Sequence, residues 1–142
     1  MMISRTAEYA LRAVVWLAGE TDQAVGTKAI SEAAQVPAGY LSKVLQILSR
    51  AGIVSSTPGR SGGFRLTRRP AEISVLDVVN AVDPIQRIHT CPLHLKSHDK
   101  ELCPLHRRLD HVMAEMEEAF AQATIAELLA EETTSPPLRE MI

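Results

Sequence analysis

Aromatic residues are scarce in this chain of 142 residues, at 4% against 46% hydrophobic, so any core must be aliphatic and alanine-rich. No apolar run approaches the length that spans a bilayer, and no membrane partner is expected. Met1 to Ala10 carries Arg5 and Glu8 early and shows no signal-peptide pattern, so the expected compartment is the cytoplasm. The chain holds no Ser-His-Asp arrangement, no phosphate-binding glycine loop opening a helix and no paired catalytic carboxylates, so an enzyme is not expected. Cysteine is almost absent, with two residues. In a reducing compartment two thiols point to metal or redox chemistry before a structural disulfide.

What is present is unevenly spread. Residues 1–70 hold nine Lys or Arg against four Asp or Glu, a net charge of +5. The remainder holds six bases and thirteen acids, a net −7. A basic half joined to an acidic half suits nucleic-acid binding by one and assembly or sensing by the other.

Helical periodicity dominates the basic half. Residues 5–18 align Ala7, Leu11, Val14, Val15 and Ala18, with Ser4 or Thr6 as cap. Thr27 opens a short helix with Ala29, Ile30 and Ala33 inward, and Gln35-Val36-Pro37 breaks it. A third helix runs from about Ala38 to Ala51 with Leu41, Val44, Leu45 and Leu48 as its buried stripe, and Gly52 is placed as a left-handed stop. Two short helices across a tight turn make a helix-turn-helix.

Ile53 to Thr57 and Phe64 to Thr67 read as strands around a turn, residues 58–63, with three glycines, which is the hairpin of a wing. Ser74 with Asp77 forms a capping box for a helix over Val75 to Val82, with Leu76, Val79 and Val82 inward. Residues 84–104 lack periodicity. A strong helical pattern returns from Leu105 through Leu109, Val112, Met113, Met116 and Phe120. Thr124 with Glu127 caps a last short helix. The fold class is therefore mainly α with a small β-hairpin wing, followed by a long C-terminal helix.

Two chemistries stand out. The second helix of a helix-turn-helix offers its first residues to base edges; here Ser42, Lys43 and Gln46 can hydrogen-bond there or to phosphate. Tyr40 either reaches a phosphate or packs on the wing. Arg50 at the end of the third helix, Arg60 and Ser61 at the wing tip, and Arg65 with Arg68 and Arg69 are candidate backbone contacts. The irregular segment repeats Cys-Pro-Leu-His, at Cys91–His94 and Cys103–His106, with His89 and His98 alongside. Soft thiolate and imidazole donors packed this closely are what transition metals need.

These features together resemble the Rrf-two family of bacterial winged-helix regulators, whose members include an iron–sulfur regulator and a nitric-oxide sensor. The matching stretches are residues 8–13, 39–41, 48–54, 59–66, 76–79 and 124–128, and the similarity covers about residues 1–130. The resemblance implies a homodimer held by the helix from Leu105 to about Gln122, with Leu105, Leu109, Val112, Met113, Met116 and Phe120 in its interface. Trp16 is expected between the first helix and this one. It also implies binding of a palindromic operator on double-stranded DNA, with repression or activation of transcription.

In cluster-binding relatives three cysteines of this loop hold an iron–sulfur cluster. The fourth ligand is a first-helix residue of the other subunit, or a histidine just after the last cysteine. Cys91 and Cys103 fall at the outer two positions, Ser97 at the middle one, His106 at the histidine and Glu8 at the first-helix carboxylate. The organisation expected is a winged helix-turn-helix over 1–83, a cofactor or sensor loop over 84–104, a dimerisation helix and terminal helix over 105–130, and a flexible tail over 131–142.

Three uses of the loop remain open. Cys91 and Cys103, with Glu8 and one of His94, His98 or His106, can hold a two-iron or four-iron cluster. The same cysteines with two histidines can hold zinc. Without metal, the thiols can respond to oxidation.

Overall fold

The computed structural model describes residues 3–20 and 23–138. The first helix, α1 (Arg5–Gly19), starts where the Ser4 hydroxyl oxygen accepts from the Ala7 N–H at 3.1 Å. Its buried face is mostly small: Ala7, Ala10, Ala13 and Ala18 beside Val14, Val15 and Leu17. Small side chains let neighbouring backbones approach, and α1 is the strut around which the other helices gather.

Against it pack α2 (Thr27–Ala34) and α3 (Ala38–Arg50). The three-residue turn between them is closed by Gln35 in the left-handed region, with Val36 buried beneath it. All four expected residues of α3, Leu41, Val44, Leu45 and Leu48, are fully inaccessible to solvent. Gly52 follows with φ +78, the left-handed stop expected of it,.

The hairpin consists of β1 (Val54–Thr57) and β2 (Gly63–Leu66), antiparallel in the register Val54↔Leu66 to Thr57↔Gly63. Val25 pairs with Phe64 through two backbone hydrogen bonds of 2.8 Å, so the loop before α2 extends the sheet. That close approach requires Gly63: its φ is +145, and a Cβ there would lie 2.3 Å from the Val25 carbonyl oxygen,.

After a short turn at Pro70–Glu72 comes α4 (Val75–Val82), started by the expected Ser74–Asp77 capping box. The segment 83–103 is irregular apart from one turn of 3-10 helix at Lys96–His98. Then α5 (Pro104–Gln122) runs for nineteen residues, and α6 (Ile125–Ala130) starts at the Thr124–Glu127 capping box. Ser74 and Thr124 sit side by side in an isolated bridge, with Val75 N–H on the Ala123 carbonyl and Ile125 N–H on the Ile73 carbonyl. The two capping residues thus fasten α6 back onto the start of α4.

Some expectations about packing are corrected. Ala29 is exposed and Ala34 is buried instead, because α2 rests on its later turn. In α4 the buried residues are Val75, Val78 and Val79; Leu76 and Val82 are only half-buried, since α4 is covered from two sides. Trp16 packs on the main core cluster, which contains no residue of α5. Leu138, inside the stretch expected as a tail, packs on that same cluster. Residues 139–142 of that tail lie outside the described residues. No described helix is long and apolar enough to cross a membrane.

Candidate nucleic-acid interface and cysteine–histidine site

The burial of α3 on one side fixes what it presents on the other. Gly39, Ser42, Lys43, Gln46 and Arg50 are all exposed, one helical face opposite the Leu41–Leu48 stripe,. The Ser42 hydroxyl donates back to the Ala38 carbonyl at 3.2 Å. Tyr40 does not pack on the wing. Its ring meets Tyr9 edge-on at 5.2 Å between centroids, and its hydroxyl pairs with the Thr6 hydroxyl. It therefore ties the start of α3 to α1.

Arg60 and Ser61 are exposed at the tip of the hairpin, and Arg65 projects from the exposed side of β2. Among the described residues, none of Lys43, Arg50, Arg60 and Arg65 makes an ion pair. Arg69 is different, being paired with Glu72 at 2.9 Å. Exposed cations without carboxylate partners are available to phosphate, where each displaces a condensed counterion.

The cysteine–histidine residues fall into two pairs. Cys91 is 5% exposed and has its Sγ 3.5 Å from Nδ1 of His98. Cys103 is the residue before α5, and its Sγ is 3.5 Å from Nδ1 of His106 in the first helical turn. Both thiols are free. The Leu95 N–H, and after it those of Leu93 and the His98 ring, hold the Cys91 thiol below its usual range, against the opposing effect of burial. His94 closes a turn by donating its N–H to the Cys91 carbonyl at 3.0 Å, with φ +55. It lines a cleft of about 400 Å³ together with Cys91, His98 and Leu102.

Glu8 is held by Arg12 at 2.8 Å, and Arg12 also donates to the Gln35 carbonyl at 3.1 Å. Among the described residues no three metal-binding side chains converge on one point. Each Cys–His pair taken by itself has the separation of two donors on one metal. A tetrahedral metal with sulfur at ~2.3 Å and nitrogen at ~2.0 Å puts those two donors ~3.5 Å apart.

One arrangement was not foreseen from sequence. Arg87, at the start of the loop, forms a two-pronged contact with Asp110 (2.7 and 2.8 Å) and reaches Glu117 at 2.8 Å. Asp110 also accepts the Ile88 N–H at 2.8 Å. The Arg87 guanidinium, then that N–H, hold the Asp110 carboxyl well below the usual carboxylate range. The available sign was Asp110 and Glu117, seven residues apart on one face of α5.

The rest of α5 is bare. No residue of it is buried within the chain, and Leu105, Leu109 and Val112 are 61%, 44% and 50% exposed. Met113 and Met116 line a cleft against Ile3, Val79 and Ile85, and Phe120 packs on Ala7, Val75 and Val79. Phe120 thus belongs largely to its own chain's core.

A helix-turn-helix with a hairpin wing and a cationic, exposed recognition face defines a winged-helix DNA-binding protein. Residues 3–131 match the Rrf2 family, described as an iron-dependent transcriptional regulator. The chain is 31% identical to the HTH-type transcriptional regulator NsrR of Geobacillus kaustophilus (strain HTA426), covering 92% of this chain and 88% of that one. Its fold is similar to that of T. potens IscR (25% identity, TM-score 0.73, 91% of this chain and 86% of that). It is also similar to CymR (YrzC), the global cysteine regulator of B. subtilis (21% identity, TM-score 0.74, 90% and 95%). The chain belongs to the Rrf2 family; it is a DNA-binding transcriptional regulator and not an enzyme.

Proposed function

We propose that the chain acts as a homodimer that reads a palindromic operator, and that operator binding is switched by an iron–sulfur cluster or redox signal at the Cys91–Cys103 loop. The observation that carries this is the contrast along α3. A fully buried apolar stripe holds the helix, while Ser42, Lys43, Gln46 and Arg50 stand exposed beside a wing tipped by Arg60. Two such faces, one per protomer, suit half-sites about 34 Å apart. The Leu105–Leu109–Val112 stripe supports α5 as the surface between protomers. Each such side chain gains roughly 1.5–3 kcal/mol on burial.

Cys91 and Cys103, with histidine partners, would hold the cluster, which when bound supplies one-electron chemistry and a ligand set that can be lost. The chain's own part is transmission. Arg87, Asp110, Glu117 and the Ile88 N–H fasten the loop to α5, and Phe120 fastens the far end of α5 to α4 and α1. A loop that rearranges therefore shifts α5, and with it the spacing of the two α3 helices.

A zinc-loaded or purely thiol-based switch is the second reading. It is supported by the thiol and imidazole donor types of the two pairs, and by two free thiols. Fluorescence anisotropy with DNA from upstream of the protein's own operon tests the main reading. Salt-sensitive, sequence-selective binding is expected, and its absence in both metal-loaded and metal-free protein overturns it.

A further inference from the structure

We propose that Tyr40 is a positioning residue for base reading: its tether to Thr6 and Tyr9 sets the roll of α3 about its own axis, and so which base edges Ser42 and Gln46 meet. This rests on the reading of α3 as the helix that enters the major groove. The apolar stripe fixes where α3 lies. Leu41, Val44, Leu45 and Leu48 have no solvent exposure and share one side of the helix. Burial of aliphatic side chains is non-directional, so one such stripe is a weak hold on rotation about the axis. Successive residues stand about 100° apart around a helix. Tyr40, next to Leu41, therefore reaches out sideways from the stripe. There α3 gains directional contacts, the edge-on meeting with Tyr9 at 5.2 Å and the pairing of its hydroxyl with that of Thr6. Tyr9 is braced in turn by the Arg12 guanidinium, 5.4 Å from its ring centroid.

The first turn of α3 needs such a hold. Pro37 stands at its N-cap, and no side chain caps the helix,. Gly39 follows, where a Cβ would meet nothing within 4 Å, and glycine weakens a helix,. Ala38 and Gly39 are exposed, so Leu41 and Tyr40 carry the attachment of this turn. Tyr40 is itself 38% exposed, and a phenol so placed has a rival use as a phosphate contact. The two roles differ in what they do to specificity. A phosphate contact carries no sequence information, so its loss weakens operator and unrelated DNA alike. Loss of a positioning residue weakens the operator alone.

The test uses the full chain, in whichever of its metal-loaded and metal-free states binds DNA the tighter. The probes are two duplexes of equal length, DNA from upstream of the protein's own operon and a scrambled version of it. Fluorescence anisotropy gives both affinities at one salt concentration, with melting temperatures followed alongside. Tyr40→Phe keeps the ring against Tyr9 and removes the hydroxyl, and Thr6→Val removes the partner hydroxyl at nearly equal size. Each is expected to lower operator affinity about fivefold, the worth of one hydrogen bond, and to leave scrambled-DNA affinity and melting temperature unchanged. The double variant should be no weaker than either single, since both remove the same contact. Thr6→Ser, which keeps the hydroxyl, should retain the parent affinity. Equal weakening on both duplexes in Tyr40→Phe, with no effect of Thr6→Val, makes Tyr40 a phosphate contact and overturns the proposal. Operator affinity unchanged in both variants overturns it too, and so do losses that add in the double variant. A parent protein that does not distinguish the two duplexes overturns instead the operator-reading function beneath it.

Discussion

The winged helix and the segment from Arg87 to Gln122 are built on different principles. In the first, the stripe of α3 has no solvent exposure, and α1 buries seven residues against its neighbours. In the second, Cys91 is buried, yet nineteen residues of helix bury none. The first half satisfies itself. The second is held to its own chain by Arg87 and by Phe120 near its far end, and it leaves a leucine–valine stripe to water. A reader of DNA gains from rigidity, since misplaced side chains cost base contacts. A sensor element gains from being nearly balanced between arrangements.

The largest effect is expected from Leu109→Asp with Val112→Asp. If that stripe is the protomer interface, sedimentation shows a monomer, and operator affinity falls more than about 100-fold because each half-site must then bind alone. A dimer that persists would remove α5 from the interface. Next is Leu45→Ala, which leaves a cavity at a fully buried position and should cost about 2–5 kcal/mol in chemical denaturation. A cost near zero would mean that the helix-turn-helix is less tightly packed than its geometry. Arg60→Ala should lower operator affinity by about tenfold and flatten its salt dependence, with the melting temperature unchanged. Unchanged affinity would take the wing off the DNA.

The smallest effect sharpens the second half. Asp110 has its folded-state pKa lowered by Arg87. The stability it contributes is therefore present above the ordinary carboxyl pKa of about 3.9 and is lost as pH falls through the lower folded value. Asp110→Asn should lower the melting temperature at pH 7 by a few degrees and remove part of the loss on acidification below about pH 4. An acid limb identical to that of the parent would mean that Arg87 does not hold the loop.

Legibility in the sequence followed range. Leu41, Val44, Leu45 and Leu48 show their face through spacing alone. Gly52 and both capping boxes are equally local, and each formed as expected. The Val25–Phe64 bridge, the Ser74–Thr124 bridge, the Tyr9–Tyr40 contact and the Arg87–Asp110 pair join residues 23 to 50 positions apart. Periodicity carries no trace of such pairs. The cysteine–histidine segment was conspicuous by composition, yet composition could not say that His94 turns away while His98 approaches Cys91. That choice is made by a left-handed residue and a 3-10 turn, inside a stretch with no repeating pattern.

The most direct test of the account is the operator affinity of one preparation measured with its reconstituted cluster and again after the cluster is removed, at equal salt. Affinities at least about tenfold apart are expected, a coupling of ~1.4 kcal/mol, with no difference in Cys91→Ser. Equal affinities in the two states of the parent protein would contradict it.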